Sequence, residues 1–416
     1  MSKLPLPGPP LCALLLLCGV TSAARAAAQE PTPPPGVTKE DDDVLKAGPK
    51  DPFTDGDPKL MAAAGVVRYG PFPWGDHVST ADIDHVLGTG RILWLETEHF
   101  RIGCSLRKVA LPQDQDKRRY LYDELKRLKK RLPKVDDHPK NLDPWLRLHL
   151  FAQRAEEQYA DFTKRMGLGA AEFPGGAAPN GKYLGLPDKF LLLLLQKKAD
   201  LARYLDRFCG VQGDRSYRIC LKQTNQMLAA AAVEGMEGMD DQGLQGHVAY
   251  SLAHNFLDGY RGFTFELPLW FAEGFAHWYA RKVPTDFINV TVKDDEAVDQ
   301  EKQHQWPQKV RRRVQHDGTW LHATQLFALQ QPAALGYQDH MMSWSRVDYL
   351  MATGEDKVGL FLQQLKHLPP PPDGGTVSTE QVQQLAQKLL QQLFALDADT
   401  FDTRWREWVL KTYVKK

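Results

Sequence analysis

The chain has 416 residues, 43% of them hydrophobic, which is enough for one large two-lobed domain or for two domains. Its 52 basic residues balance its 52 acidic residues, so the formal net charge is zero. This balance argues against a nucleic acid or another polyanion as the partner.

Residues 1–26 are typical of a secretory signal peptide, with a positively charged start, an apolar run over 11–20 and small residues at 24–26 that suit cleavage. Cys18 would suit a lipoprotein, but Leu17 before it is not the small residue that such a signal requires. A retained signal anchor is the other alternative, although the apolar run is short for one. We therefore expect an exported protein, periplasmic or secreted, without a transmembrane segment after signal removal.

The segment that follows, 27–60, is rich in Pro, Ala, Gly, Asp and Lys and is predicted to be a disordered linker. Residues 61–235 are predicted to form an N-terminal lobe of mixed α and β structure. Strand-like runs lie at 92–95, 99–102 and 190–195, and helical spacing of leucines separates them.

Residues 236–416 are predicted to form a helical lobe. Apolar residues recur there at helical spacing in segments 241–258, 268–282, 320–330, 337–353, 355–368, 378–395 and 399–413. Ser378 and Gln381 make a capping box at the start of one of them. The predicted fold class is therefore α+β, with a mixed lobe followed by a mostly helical lobe.

Three cysteines follow the signal segment. Cys209 and Cys220 flank a polar loop and could form a disulfide, since export permits one, which would leave Cys104 single. Three buried thiols are the alternative. The absence of a C-x-x-C pattern argues against a zinc site built from cysteines.

The segment 247–281 contains the residues best suited to chemistry. On its first helix, one polar stripe is formed by His247, Tyr250, Ser251, His254 and Asp258, which follow one another at helical spacing. The other positions of this helix are mostly apolar, so the stripe is expected to face a polar partner inside the protein.

The second helix of this segment offers that partner. Glu273 and His277 are four residues apart and therefore share one face. Large apolar neighbours, among them Phe271 and Phe275, predict that this helix is buried. Because buried ionisable groups need partners, we expect the two polar stripes to face each other.

This layout resembles the gluzincin branch of the zinc metallopeptidases, the peptidase-MA-like superfamily, and in particular its secreted bacterial members. Those enzymes carry H-E-x-x-H on one helix and a third zinc ligand, a glutamate, on the next. His254 matches the second motif histidine, and Glu273 follows 19 residues later within W-F-A-E-G-F-A, close to the family pattern W-x-x-E-G-x-A. The resemblance spans residues 92–413 and implies a zincin-like fold.

The sequence departs from the family at three functional positions. Tyr250 stands where the first histidine ligand is expected, and Ser251 stands where the general-base glutamate is expected. His340 matches a tyrosine on a later helix that stabilises the transition state in the family. Zinc hydrolysis needs three protein ligands and a carboxylate that takes a proton from water. The degenerate motif therefore predicts no catalytic residue.

We expect a neutral polar network to fill the former metal cavity, with Tyr250 bonded to His277 and His254 paired with Glu273. The alternative is zinc held by His254, Glu273 and His277. His247 cannot join His254 on one zinc, because the two residues lie roughly 10.5 Å apart along the helix. A serine-hydrolase site at Ser251 is disfavoured, because a nucleophilic serine sits on an exposed turn rather than inside a helix.

The sequence therefore predicts an exported, zincin-like pseudopeptidase without a cofactor. It would bind a peptide, a protein or a cell-envelope component in the old substrate cleft. An active zinc metallopeptidase with a non-standard ligand set is one alternative. A structural envelope protein without a cleft is the other.

Overall fold

The structure is a computed structural model that describes residues 43–234, 236, 239–287, 289–290, 305–316, 320–369 and 377–414. The predicted signal peptide, residues 1–26, and the first part of the predicted linker lie outside the described residues. Among the described helices, none is both long enough and apolar enough to cross a membrane.

The fold class is α+β, as predicted, and the strands all precede the helix that begins at Asp241. The strands are β1 (Arg68–Tyr69), β2 (Pro73–Gly75), β3 (Val78–Ser79), β4 (Leu93–Glu96), β5 (Phe100–Cys104), β6 (Val109–Ala110), β7 (Asn141–Leu142), β8 (Phe190–Leu195), β9 (Tyr217–Leu221) and β10 (Gln226–Ala232).

The mixed part of the chain contains six helices, and seven more follow β10 in the described residues. The helices are α1 (Asp43–Ala47), α2 (Pro58–Ala64), α3 (Thr80–Leu87), α4 (Gln115–Arg131), α5 (Pro144–Arg165), α6 (Lys198–Tyr204), α7 (Asp241–Gly259), α8 (Leu269–Ala280), α9 (Trp306–Arg313), α10 (Ala323–Ala328), α11 (Tyr337–Lys366), α12 (Thr379–Leu389) and α13 (Ala398–Thr412).

One six-stranded mixed sheet forms the centre of the first part of the chain, in the order β1-β4-β5-β8-β10-β9. Strands β5, β8 and β10 are parallel, and the other neighbours are antiparallel. Helices cover both faces of β8. Its alternate residues Phe190, Leu192 and Leu194 belong to the core with α5 and α7. Leu191, Leu193 and Leu195 belong to the core with α3 and α6. Burial on both faces explains why this strand is an unbroken apolar run.

The predicted linker is wrong for residues 43–60, which are ordered and packed on the mixed lobe. Asp43–Ala47 forms α1, and Asp51 is buried a few residues later. The Asp51 carboxylate accepts a hydrogen bond of 2.6 Å from Thr54 and lies 3.0 Å from Nε2 of His149 on α5. Composition did not reveal this order, because a few specific polar contacts hold the segment.

The predicted helical segments of the second half are found with small shifts at their ends. The predicted segments 337–353 and 355–368 are one helix, α11, which is interrupted by non-helical backbone at Gly354. Ser378 caps α12 together with Gln381, as predicted.

The three cysteines are free thiols, and the suggested bond between Cys209 and Cys220 is not formed. Cys104 is buried in β5, whereas Cys209 and Cys220 are only partly buried. The alternative of three buried thiols therefore holds for Cys104 alone.

Candidate functional site

The candidate site lies where α7, α8 and α11 meet. The side chain of Asp240 accepts a hydrogen bond from the backbone of Gly243 and caps the start of α7, and α8 begins directly after Pro268. Gly274 of α8 lies against Ser343 of α11, so closely that a β-carbon at position 274 would overlap the Ser343 carbonyl. This contact brings the face of α8 that carries Glu273 against α11.

The Glu273 carboxylate is the centre of the site, and it is 6% exposed. The Tyr250 hydroxyl donates a hydrogen bond of 2.6 Å to its Oε2. Nδ1 of His340 lies 3.2 Å from the same oxygen. Nε2 of His254 lies 3.5 Å from the other oxygen, Oε1. Three side chains from two other helices therefore meet one buried carboxylate.

His277 lies one helical turn after Glu273 and faces the same centre. Its Nε2 is 3.1 Å from Nδ1 of His340 and 3.9 Å from Oε2 of Glu273. His277 and His340 are 1% and 3% exposed, respectively. Two imidazole nitrogens and one carboxylate oxygen thus converge in a closed space.

The prediction that the two polar stripes face each other is confirmed by the contacts of Tyr250 and His254 with Glu273. The expected bond from Tyr250 to His277 is wrong, because the phenol reaches the carboxylate instead. His277 is paired with His340, which the sequence marked only as a degenerate position. The sequence pattern did not predict this pair, because it gives no sign that α11 packs against α8. His340 lies 63 residues beyond His277 in the chain.

The remaining members of the predicted polar stripe have other partners. Nδ1 of His247 lies 2.6 Å from the side-chain oxygen of Asn289. The Asp258 carboxylate accepts a hydrogen bond of 3.0 Å from Arg218 of β9. Ser251 is buried at 5% exposure. None of these side chains takes the place of the missing ligand or the missing base.

The electrostatics of the site favour an ionised Glu273 carboxylate beside a protonated Tyr250 phenol. Burial alone would raise the pKa of the Glu273 carboxyl, but the charges and hydrogen bonds of His254 and His340 hold that pKa well below its usual value. Burial and the neighbouring Glu273 charge raise the pKa of the Tyr250 phenol well above 10. Burial and His340 lower the pKa of His277 well below its usual value. Tyr250 is therefore a hydrogen-bond donor and His277 a neutral imidazole near neutral pH.

The residues do not fit a zinc ion in the arrangement that the family resemblance implies. Tyr250 stands where the resemblance places the first histidine, and its phenol donates a hydrogen bond to Glu273 instead of offering a ligand nitrogen. The predicted set of His254, Glu273 and His277 is also not the set that converges. In the described part of the chain, the ligand atoms that all lie within 4.8 Å of one another belong to Glu273, His277 and His340.

A groove of about 210 Å³ opens beside this centre. Its walls come from the edge strand β9, from α7 and α8, from the segment after α10 and from α12, and they include Arg218, His254, Asp258, Ala272 and Glu273. Ser251 is not part of this lining. The groove argues against the third expectation, a structural protein without a cleft.

Comparison with protein-family models and with curated proteins gave no match. The resemblance to zinc metallopeptidases therefore rests on the motif residues of the sequence alone.

Proposed function

We propose that this protein is a catalytically silent relative of the zinc metallopeptidases that binds an extended peptide segment in the groove beside Glu273. One observation carries the proposal: Tyr250 donates a hydrogen bond to Glu273 where a zinc ligand is expected, while the groove next to this pair stays open.

The loss of hydrolysis follows from the chemistry of two positions. Ser251 replaces the carboxylate that takes a proton from water, and a serine hydroxyl is not a base near neutral pH. Tyr250 would have to lose its proton to bind a metal as a phenolate, but burial and Glu273 raise its pKa. The site therefore lacks both the base and the first ligand of a working peptidase.

The edge of the sheet supports a peptide as the ligand. Among the described residues, strand β9 is the last strand of the sheet and is paired only with β10. Three consecutive residues of β9, Arg218, Ile219 and Cys220, line the groove. An extended peptide can add to such an edge through its main chain, and side-chain pockets along the strand then select its sequence.

The groove also offers contacts for both the apolar and the polar groups of a peptide. Phe263, which is 42% exposed, and Leu267 offer apolar contacts. Asp258 and Glu266 offer carboxylates for basic or amide groups. The predicted export would place this binding at the cell envelope, where peptides and secreted proteins are the available partners.

A binding assay with a groove-filling variant tests the proposal. The probe is a fluorescently labelled, reduced and carboxymethylated lactalbumin, which presents many extended segments, and the readout is fluorescence anisotropy. We expect saturable binding by the wild-type protein and at least ten-fold weaker binding by Ala272→Trp, because the indole would fill the groove. Ala110→Trp, on an exposed position of β6, should bind like the wild type.

A second variant separates loss of binding from loss of folding. Phe263→Ala removes an exposed groove side chain and should weaken binding without changing the melting temperature. Absence of probe binding by the wild type, or equal binding by Ala272→Trp and Phe263→Ala, would overturn the proposed function.

A further inference from the structure

We propose that Glu273, His277 and His340 form a closed binding site for a tetrahedral divalent metal ion, zinc in particular, that ties α8 to α11. The site shares Glu273 with the ligand set that the family resemblance implies, but its two histidines, His277 and His340, are not part of the family motif. It does not depend on the peptide-binding function.

The distances among the three ligand atoms suit tetrahedral zinc. Bonds of roughly 2.0–2.1 Å at tetrahedral angles place neighbouring ligand atoms about 3.3 Å apart. Oε2 of Glu273 and Nδ1 of His340 are 3.2 Å apart, and Nδ1 of His340 and Nε2 of His277 are 3.1 Å apart. The third separation, 3.9 Å between Glu273 and His277, would have to close by about half an ångström, which a small side-chain rotation provides.

The ligand chemistry also suits zinc. Two imidazoles and one carboxylate form a set that occurs in zinc proteins, and they leave a fourth position for water or another oxygen. The Tyr250 hydroxyl is bonded to the same Oε2 and would hold the carboxylate in its orientation, as outer hydrogen bonds do in metal sites.

A hydrogen-bonded core does not account for this cluster. The facing nitrogens of His277 and His340 can share only one hydrogen, so one nitrogen donates and the other accepts. Nε2 of His340 is buried without a hydrogen-bond partner among the described residues. Buried polar atoms in native folds are nearly always paired, so hydrogen bonds alone leave the His340 ring incompletely satisfied.

The proposed ion would be structural. The groove is lined by Glu273 and His254, whereas His277 and His340 are not among its lining residues. An ion bound by these two histidines would therefore be separated from the groove by the Glu273 carboxylate. The site would therefore link two helices and would not present a metal-bound water to a peptide.

His277 also borders a cavity on the side away from the groove. A second cavity of about 170 Å³ is lined by His277, Arg281 and Asn289. An ion that enters this site would reach His277 first from this cavity, without passing through the groove.

Zinc titration of chelator-treated, full-length protein tests the proposal. Calorimetry should give one equivalent of bound zinc with micromolar or tighter affinity. Binding should raise the melting temperature. Cobalt in place of zinc should give the intense visible absorption of a tetrahedral site. No zinc binding by the folded wild-type protein would overturn the proposal.

Variants assign the ligands. His340→Ala and His277→Ala should each weaken zinc binding at least 100-fold, and His340→Gln provides a less disruptive change if His340→Ala fails to fold. His254→Ala should retain the affinity within about three-fold. His247→Ala, a histidine on α7 that is bonded to Asn289, is the matched control and should also retain it.

The opposite pattern would contradict the assignment. Loss of zinc in His254→Ala with retention in His340→Ala would place the metal on His254, Glu273 and His277 instead. Probe binding measured on zinc-free protein reports on the groove alone, so failure of the metal site and failure of the proposed function can be told apart.

Discussion

Tyr250 is the residue that most clearly separates this site from a zinc peptidase. It lies on α7 where the first histidine ligand is expected, and its hydroxyl donates to the buried Glu273 carboxylate. A buried carboxylate that loses a hydrogen-bond donor keeps its charge but loses part of its solvation. Tyr250 therefore contributes a stabilising hydrogen bond to this carboxylate.

Replacement of Tyr250 by phenylalanine measures this contact. Tyr250→Phe should lower the free energy of unfolding by about 2 kcal/mol, because a hydrogen bond to a charged group is lost in the interior. Urea denaturation of zinc-free protein gives the value. Tyr217→Phe, on a 38% exposed tyrosine of β9, is the matched control and should change it by less than about 0.5 kcal/mol. Equal effects of the two substitutions would contradict the role assigned to Tyr250.

At the residue scale, the sequence predicted which side chains would face one another but not every pair. The spacing on α7 and α8 was enough to place Tyr250 and His254 opposite the face of α8 that carries Glu273 and His277. It could not choose between Glu273 and His277 as the partner of Tyr250, because the two lie on one face, one turn apart. That choice depends on the side-chain rotamers and on His340, which contacts His277 from a third helix, α11.

The approach of α8 to α11 is the element-scale feature on which the site depends. Gly274 follows Glu273 directly and lies against the backbone of Ser343, so a larger residue there would push the helices apart. The glycine in the E-G pair therefore has a packing reason in this fold. It sets the distance between the helix that carries Glu273 and the helix that carries His340.

Gly274→Ala should destabilise the protein by about 2–3 kcal/mol, since an added methyl group in a packed contact forces the backbones to shift. It should also weaken zinc binding, because His340 would move away from Glu273. Gly213→Ala, which places a β-carbon in open space, should be nearly neutral in urea denaturation. A stable Gly274→Ala variant with unchanged zinc affinity would contradict this role of the α8–α11 contact.

A second link between elements involves Lys366 at the end of α11. Its ammonium group donates a hydrogen bond of 3.0 Å to the carbonyl of Asp258 near the end of α7, and the residue is 5% exposed. Burial lowers the pKa of Lys366 from 10.5 to about 8. Between these two pH values the unfolded chain therefore binds a proton that the folded protein has released.

The free energy of unfolding should consequently rise from pH 8 to pH 10.5, and a shift of this size corresponds to about 3 kcal/mol. Lys366→Met should remove this rise in a series of urea denaturation curves. Lys388→Met, on an exposed position of α12, should leave it in place. A rise that persists in Lys366→Met would show that another group is responsible.

At the element scale, periodicity located the helices of the second half and the buried strand β8. It could not give the strand order, because β8 pairs with β5 and β10 across long stretches of chain. It also missed the order of residues 43–60, where the contacts of Asp51 with Thr54 and His149 hold a polar segment. In both cases the determining contacts join residues that are distant in sequence or depend on single side chains.

The whole molecule combines a closed polar centre with an open groove. The mixed sheet supplies the edge strand β9, and the helices α7 and α8 supply the polar centre next to it. The proposed binding function needs only the groove, whereas zinc hydrolysis would also need a ligand at position 250 and a base at position 251, where Tyr250 and Ser251 stand. Under the proposed function, the protein would therefore recognise a peptide without cleaving it.

The most direct test of this central claim is a peptidase assay of the wild-type protein and of the double variant Tyr250→His with Ser251→Glu, each with zinc in excess of one equivalent. We predict no hydrolysis of the lactalbumin probe by the wild type. We predict chelator-sensitive hydrolysis by the double variant, which regains the first ligand and the base. Chelator-sensitive hydrolysis by the wild type that His254→Ala abolishes would contradict the account.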